Sequence, residues 1–193
     1  MSHKNWMMLL VVLMLSGCAT QPENINNTMA DTVAKQDENI HFVGGQAIKI
    51  APDSSVYIAY PNDGADDYHY YEGSGAEVLN VITTSLSPYF SKMMPAKSYQ
   101  HARSAYMQAR SEGYQYFILP HLKSWTDSYT MFTGVPDKVV LDLKIYDLIT
   151  NQLLDQVEIK SISSVMPGFE KNPDELLGEA MNKLTARLFL KKG

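Results

Sequence analysis

The chain has 193 residues, 45% of them hydrophobic and 19% charged, with one Cys. This suits a single domain with a tail and excludes wholesale disorder, a disulfide framework and a cysteine-built zinc site. Lys and Arg total 16 against 21 Asp and Glu, a net charge of −5, which excludes a nucleic-acid partner held by phosphate neutralisation.

Lys4 precedes an unbroken apolar run over residues 6–15. As a helix this run reaches about 15 Å, half of what a bilayer core requires, so the layout is that of an export signal rather than a membrane span. The run leads into Leu15-Ser16-Gly17-Cys18, which resembles the lipobox of bacterial lipoproteins. The resemblance implies a signal peptide over 1–17, cleavage before Cys18, a diacylglycerol on its sulfur and a further acyl chain, typically palmitate, on its new amine. Two or more acyl chains anchor stably, at about 0.8 kcal/mol per buried CH₂. Ala19, not Asp, follows the cysteine. In Gram-negative lipoproteins that resembles the pattern passed on to the outer membrane, with the domain facing the periplasm.

Residues 18–45 are polar and irregular and read as the lipidated Cys and a flexible tether, with an r.m.s. reach of about 25–30 Å. An ordered arm packed on the domain is the other reading, on the strength of Ile40, Phe42 and Val43. Residues 46–193 form a single α/β domain. Residues 54–60 are β-branched and aromatic and stop at Pro61-Asn62-Asp63-Gly64, a strand and a turn. After Gly73-Ser74-Gly75, Val78, Val81, Ile82, Leu86 and Tyr89 make a helical stripe ended by Pro88. Met93-Met94 reads as a short strand. Ser98 can cap a helix carrying Ala102, Ala105, Tyr106 and Ala109, closed by Gly113.

Tyr116-Phe117-Ile118-Leu119 is apolar on both parities, as in a central strand buried on both faces. Residues 138–147 alternate, and a turn with Asn151 in the left-handed region leads to a partner strand through Val157 and Ile159. Asn172-Pro173-Asp174-Glu175 opens a helix whose stripe is Leu177, Ala180, Leu184 and Leu188. The expected order is β-α-β-α-β-β-β-α, one mixed sheet with helices packed on it.

Pro61, Asp63 and Gly64, Tyr71 with Gly73-Ser74-Gly75, Trp125 with Asp127, and Thr130, Gly134, Pro136 and Asp137 together resemble a family of proteobacterial lipoproteins known as domain of unknown function 4823. That family's pattern has Glu and Arg flanking the Asp, where this chain has Thr126 and Ser128. The resemblance implies an envelope lipoprotein and no assigned activity. The strand–helix order is also loosely similar to the fold of the N-terminal domain of the Tol translocation protein, of lipoproteins that activate peptidoglycan synthases and of the curli secretion lipoprotein.

Ser74 and Gly75 start a helix whose free N–H groups could bind an anion or could simply be capped. The spacing makes neither a phosphate loop nor a nucleophile elbow. Asp63, Asp66, Asp67, Glu72 and Glu77, interleaved with Tyr68, Tyr70 and Tyr71, read as a solvated acidic flap or a contact surface. The histidines are scattered, with no i,i+4 pair, so no metal site and no cofactor is expected. Trp125, Asp127, Tyr129 and Phe132 fall on a loop drawn over residues 123–137, either a lid on the sheet or a partner-binding tip. The function expected is that of an outer-membrane-anchored lipoprotein, not an enzyme, binding or supporting another envelope component. Its candidate contacts are Ser74, Gly75, Trp125, Asp127, Tyr129 and Phe132. The alternative is an envelope enzyme or small-ligand-binding protein with its site near the Ser74 and acidic–tyrosine loops. A membrane pore is disfavoured because that loop is too short for two spanning strands.

Overall fold

The computed structural model describes residues 40–45, 47–48, 53–128, 130–166 and 169–189. Its elements are β1 (Ile40–Val43), β2 (Ser55–Ile58), β3 (Gly64–Ala65), β4 (Tyr70–Tyr71), α1 (Ser74–Leu86), β5 (Lys92–Pro95), α2 (Ala102–Ser111), β6 (Tyr116–Thr126), the single turn α3 (Thr130–Thr133), β7 (Lys138–Asp147), β8 (Gln152–Ile162) and α4 (Pro173–Leu188). The main sheet runs β1-β8-β7-β6-β2-β5, and β3 pairs with β4 apart from it. β2 is parallel to β5 and β6; the pairs β6–β7, β7–β8 and β8–β1 are antiparallel. The mixed sheet and the element order are those expected, with β1, the β3–β4 hairpin and α3 added.

Why the helices lie where they do follows from handedness. The chain leaves β2 for β5 in one direction across the sheet, then returns past β2 to reach β6. Right-handed crossovers in opposite directions put their helices on opposite faces. α1 therefore joins α4 on one face and α2 takes the other. Period-two alternation in β2 serves both layers. Val56 and Ile58 enter the core under α1 and α4 with Ile82, Leu141, Leu177 and Leu184. Tyr57 enters the smaller core with Phe117 and Tyr114 under Ala105 and Ala109 of α2, whose short side chains let that helix approach closely.

Three boundaries differ from expectation. β1 lies inside the stretch read as tether: Ile40–Val43 pairs with Ser161–Glu158 of β8, so the ordered-arm reading holds for these four residues. α2 starts after His101, not Ser98. β6 runs on through Pro120 to Thr126, so the loop drawn at 123–137 shrinks to 127–137. Pro120 lies inside this strand. It is tolerated because β2 pairs with β6 only over Tyr116–Ile118, leaving that flank of β6 without a strand where the proline sits. Residues 1–39, with the stretch read as a signal peptide, Cys18 and most of the stretch read as a tether, lie outside the described residues.

Candidate functional site

The loop after β2 does not simply turn; its side chains replace missing backbone partners. Asn62 Nδ2 donates to the Leu122 carbonyl at 2.8 Å and Asn62 Oδ1 accepts from the Leu122 N–H at 3.0 Å. The carboxamide thus continues the pairing of β6 where β2 has ended. His121 Nδ1 lies 2.9 Å from the same Oδ1. An amide oxygen only accepts, so Nδ1 carries the proton.

Asp63 comes next. Its Oδ1 accepts from the Gly75 N–H at 2.8 Å, inside the first turn of α1, and its Oδ2 accepts from the Tyr70 hydroxyl at 3.1 Å. The helix N-terminus, capped by no side chain of Gly73, is thereby met by an internal carboxylate, which fits its partial positive charge. Ser74 is buried; its hydroxyl accepts from the Gly64 N–H at 2.8 Å and donates to the Tyr71 carbonyl at 2.7 Å. It neither caps the helix nor faces a ligand. It ties the β3–β4 hairpin to α1. Gly64 and Gly75 are required by close approach: a Cβ on Gly64 would stand 2.4 Å from Trp125 Cβ, and one on Gly75 2.8 Å from the Pro61 carbonyl oxygen.

On the outer side of this bracket lies a groove of about 350 Å³ whose lining includes Asp66, Tyr68, Tyr71, Asp127, Thr133 and Val135. Asp66 accepts from the N–H groups of Tyr68 and His69 at 2.8 and 2.7 Å and from the Tyr71 hydroxyl at 2.7 Å. The Tyr71 hydroxyl, followed by the Tyr68 N–H, holds the Asp66 carboxyl below its ordinary value. Burial, then the bond to Asp66, pushes the Tyr71 phenol up. Across the groove, Asp137 Oδ1 accepts from the Ser128 N–H at 2.7 Å and its hydroxyl at 3.2 Å, pinning the start of the loop to its end. Burial pushes the Asp137 carboxyl up against the lowering pull of those two bonds. Tyr68 of the lining is 88% exposed, and next in sequence to the lining residues Tyr71 and Thr133, Tyr70 stands at 68% and Phe132 at 85%.

The structure thus brings most of the sequence landmarks to one corner but divides their roles. Ser74 and Gly75 are internal. Trp125 is corrected: it lies in β6 opposite Val139 and is 2% exposed, packed over Gly64, so it belongs to the core and not to a loop tip. Asp127 is exposed in the groove lining, and Phe132 is exposed in α3, next in sequence to the lining residue Thr133. Tyr129 lies outside the described residues. Sequence reasoning took Asn62 for a turn residue only and missed the Ser128–Asp137 clamp; the one available signal was the Pro-Asn-Asp-Gly run, which also has the composition of an ordinary turn. Among the described residues no group of three or more His, Cys, Asp or Glu is placed to hold a metal ion.

The model of a domain of unknown function (DUF4823) matches residues 48–188. No curated protein matches the chain in sequence. Among solved structures, a PelC dodecamer from Paraburkholderia phytofirmans is similar at a TM-score of 0.58 and 12% identity, over 77% of this chain and 98% of that one. Lipoprotein GNA1162 from Neisseria meningitidis follows at 0.45 and 13%, over 68% and 95%. TolB from Acinetobacter baumannii stands at 0.32 and 13%, over 75% and 31%.

Proposed function

The chain belongs to the DUF4823 family, and from that premise we propose that it is an outer-membrane lipoprotein, anchored through acyl chains on Cys18, whose periplasmic domain binds another component of the cell envelope. The observation that carries this reading is the corner itself. Tyr68 stands exposed in the groove, and Tyr70 and Phe132 stand exposed on the segments that supply its walls, next in sequence to the lining residues Tyr71 and Thr133; Asp66, Ser74 and Asp137 pin those segments. Large aromatic residues held out by a rigid frame lose little entropy on contact, which is how a few anchors come to dominate binding. For an enzyme at Ser74 the geometry offers little support, since both capacities of its hydroxyl are taken by Gly64 and Tyr71.

The test is photocrosslinking in intact cells with a reactive residue at Tyr68 or Phe132, and at Met107 on α2 as the control. Capture of the same envelope component from Tyr68 and Phe132, but not from Met107, supports the reading. No capture, or equal capture from all three, counts against it.

A second reading, that the component bound is another copy of the chain, is favoured by the division of charge. Residues 53–91 hold Asp53, Asp63, Asp66, Asp67, Glu72 and Glu77 and no Lys or Arg, whereas residues 92–111 hold Lys92, Lys97, Arg103 and Arg110 and no acid. Unlike patches on one molecule pair head to tail, closing into rings where the rotation permits; the PelC structure of similar fold is a dodecamer. Reversing the acids in one preparation and the bases in another should abolish self-association of each alone and restore it on mixing.

A further inference from the structure

Another cavity lies on the other side of the sheet from α1, beside the start of α2. Its volume is about 250 Å³, and Tyr60, Tyr99, Gln100, His121, Asp142 and Lys144 are among its lining residues. It sits past the carboxyl ends of the parallel strands β2 and β5, at the point where the chain reverses its direction across the sheet. That crevice is where open α/β sheets receive ligands, because neighbouring strands there send their connections to opposite faces.

The charges in it are unusual. Asp142 is 6% exposed, and both its oxygens are met by a single group, the Gln156 carboxamide, at 3.0 Å each. His121 stands opposite it in register, with Nδ1 engaged by Asn62 Oδ1. Two residues along the same face, Lys144 lies opposite the apolar Leu119, and among the described residues no carboxylate pairs with it. Two residues along a strand are about 7 Å apart. Asp142 and Lys144 form no ion pair with each other, and at this spacing one small molecule can touch both. α2 begins at the cavity with neither a side-chain cap nor an acid in its first turn, so its partial positive end adds to Lys144.

The geometry points to a binding site for a small zwitterion of the amino-acid or short-peptide class. Its ammonium donates to Asp142, its carboxylate accepts from Lys144 beside the start of α2, and its apolar part lies against Tyr60 and Tyr99. A buried carboxylate hydrogen-bonded by only one amide, with the Lys123 ammonium acting on it at longer range and itself bonded to Glu158, still gains from a directly donating cation. A purely anionic ligand would meet the Asp142 charge, and a neutral one would leave both poles as they were. The cavity is smaller than the ~300–1,000 Å³ usual for drug-sized ligands, in keeping with a ligand of this size. The site shares no residue with the aromatic groove, so it stands or falls separately from the contact reading above.

Calorimetry on the full chain in detergent tests this with four probes: alanyl-alanine, its N-acetyl form, its C-terminal amide, and glucose. The expected result is saturable binding of alanyl-alanine, weakened at least tenfold by either block, and none of glucose. Asp142→Asn should weaken the dipeptide at least tenfold while leaving the N-acetyl form unchanged; Lys144→Met should weaken it similarly while leaving the amide unchanged. Should either variant melt early, the probe series on the parent chain decides alone. Absence of dipeptide binding, indifference to both blocks, or binding of glucose in its place overturns the assignment.

Discussion

At the residue scale, Trp125 and Phe132 were neighbours on one imagined loop and prove to have opposite surroundings, 2% and 85% exposed. Trp125→Ala should therefore remove about 3–5 kcal/mol of folding stability, as for other buried large aromatics. Phe132→Ala should leave the melting midpoint unchanged yet weaken capture of the envelope component by about 2 kcal/mol or more, if Phe132 is an anchor. Melting and crosslinking measured on both variants check the pair of outcomes together. Asp66 gives a prediction in pH. Its carboxyl is held below the ordinary value by the Tyr71 hydroxyl and neighbouring N–H groups, so the folded state binds its proton less readily than the unfolded chain does. The stability this supplies is fully present above the unfolded pKa and is lost as pH falls through the folded one. Asp66→Asn should lower the melting midpoint at pH 7, and the gap from the parent should narrow below about pH 4, where an unperturbed Asp titrates. A gap that stays constant down to acid pH would mean that the carboxylate's charge is not what matters.

At the element scale, the decisive addition is β1. Four residues cover the outer edge of β8, Phe42 and Ile40 pack against the main core, and Arg187 of α4 donates to the Gly44 carbonyl while lying over the Phe42 ring at 5.2 Å. An edge left open invites pairing with other chains. Deleting residues 40–45 should cost about 2–4 kcal/mol through the lost burial of two apolar side chains, lower the melting midpoint by several degrees and promote aggregation. Deleting residues 24–35, which are mostly polar, should leave the midpoint within a few degrees of the parent. Calorimetry and light scattering on the two deletions separate strand from tether. Sequence patterning had shown the other strands of the main sheet, β7 because it alternates and β6 because both its parities are apolar at Tyr116–Leu119. β1 was harder to see, since an edge strand of four residues offers too short a period to distinguish from a polar arm. β6 was cut short for a different reason. Pro120 is a strand breaker only where its flank needs an N–H, and nothing in the sequence says which flank is empty.

At the scale of the whole molecule, the anchor and the domain are separate predictions. Cys18→Ser removes the only thiol, and with it the nucleophile for acylation. Signal removal should stall and the mature membrane-bound form should disappear from fractionated cells. Processing and outer-membrane fractionation like the parent's would refute the anchor.

By itself the sequence determined the fold class and the helices and strands that carry strong local patterns. The apolar run over residues 6–15 that leads into Cys18, the alternation over residues 138–147, the stripe of α4 and the Asn-Pro-Asp-Glu start of that helix are local patterns legible along the chain. The family landmarks were legible too, as a group of residues. What each of them does was decided only in three dimensions. Ser74 and Gly64, ten residues apart, share a hydrogen bond; Asn62 and Leu122, sixty apart, share two. Gly64 and Trp125 meet because β6 continues past the end of β2. Asp142 and Lys144 stand on the polar parity of the alternating run over residues 138–147. They line a cavity because opposed right-handed crossovers set α2 on that face, and α2 is too short to cover it.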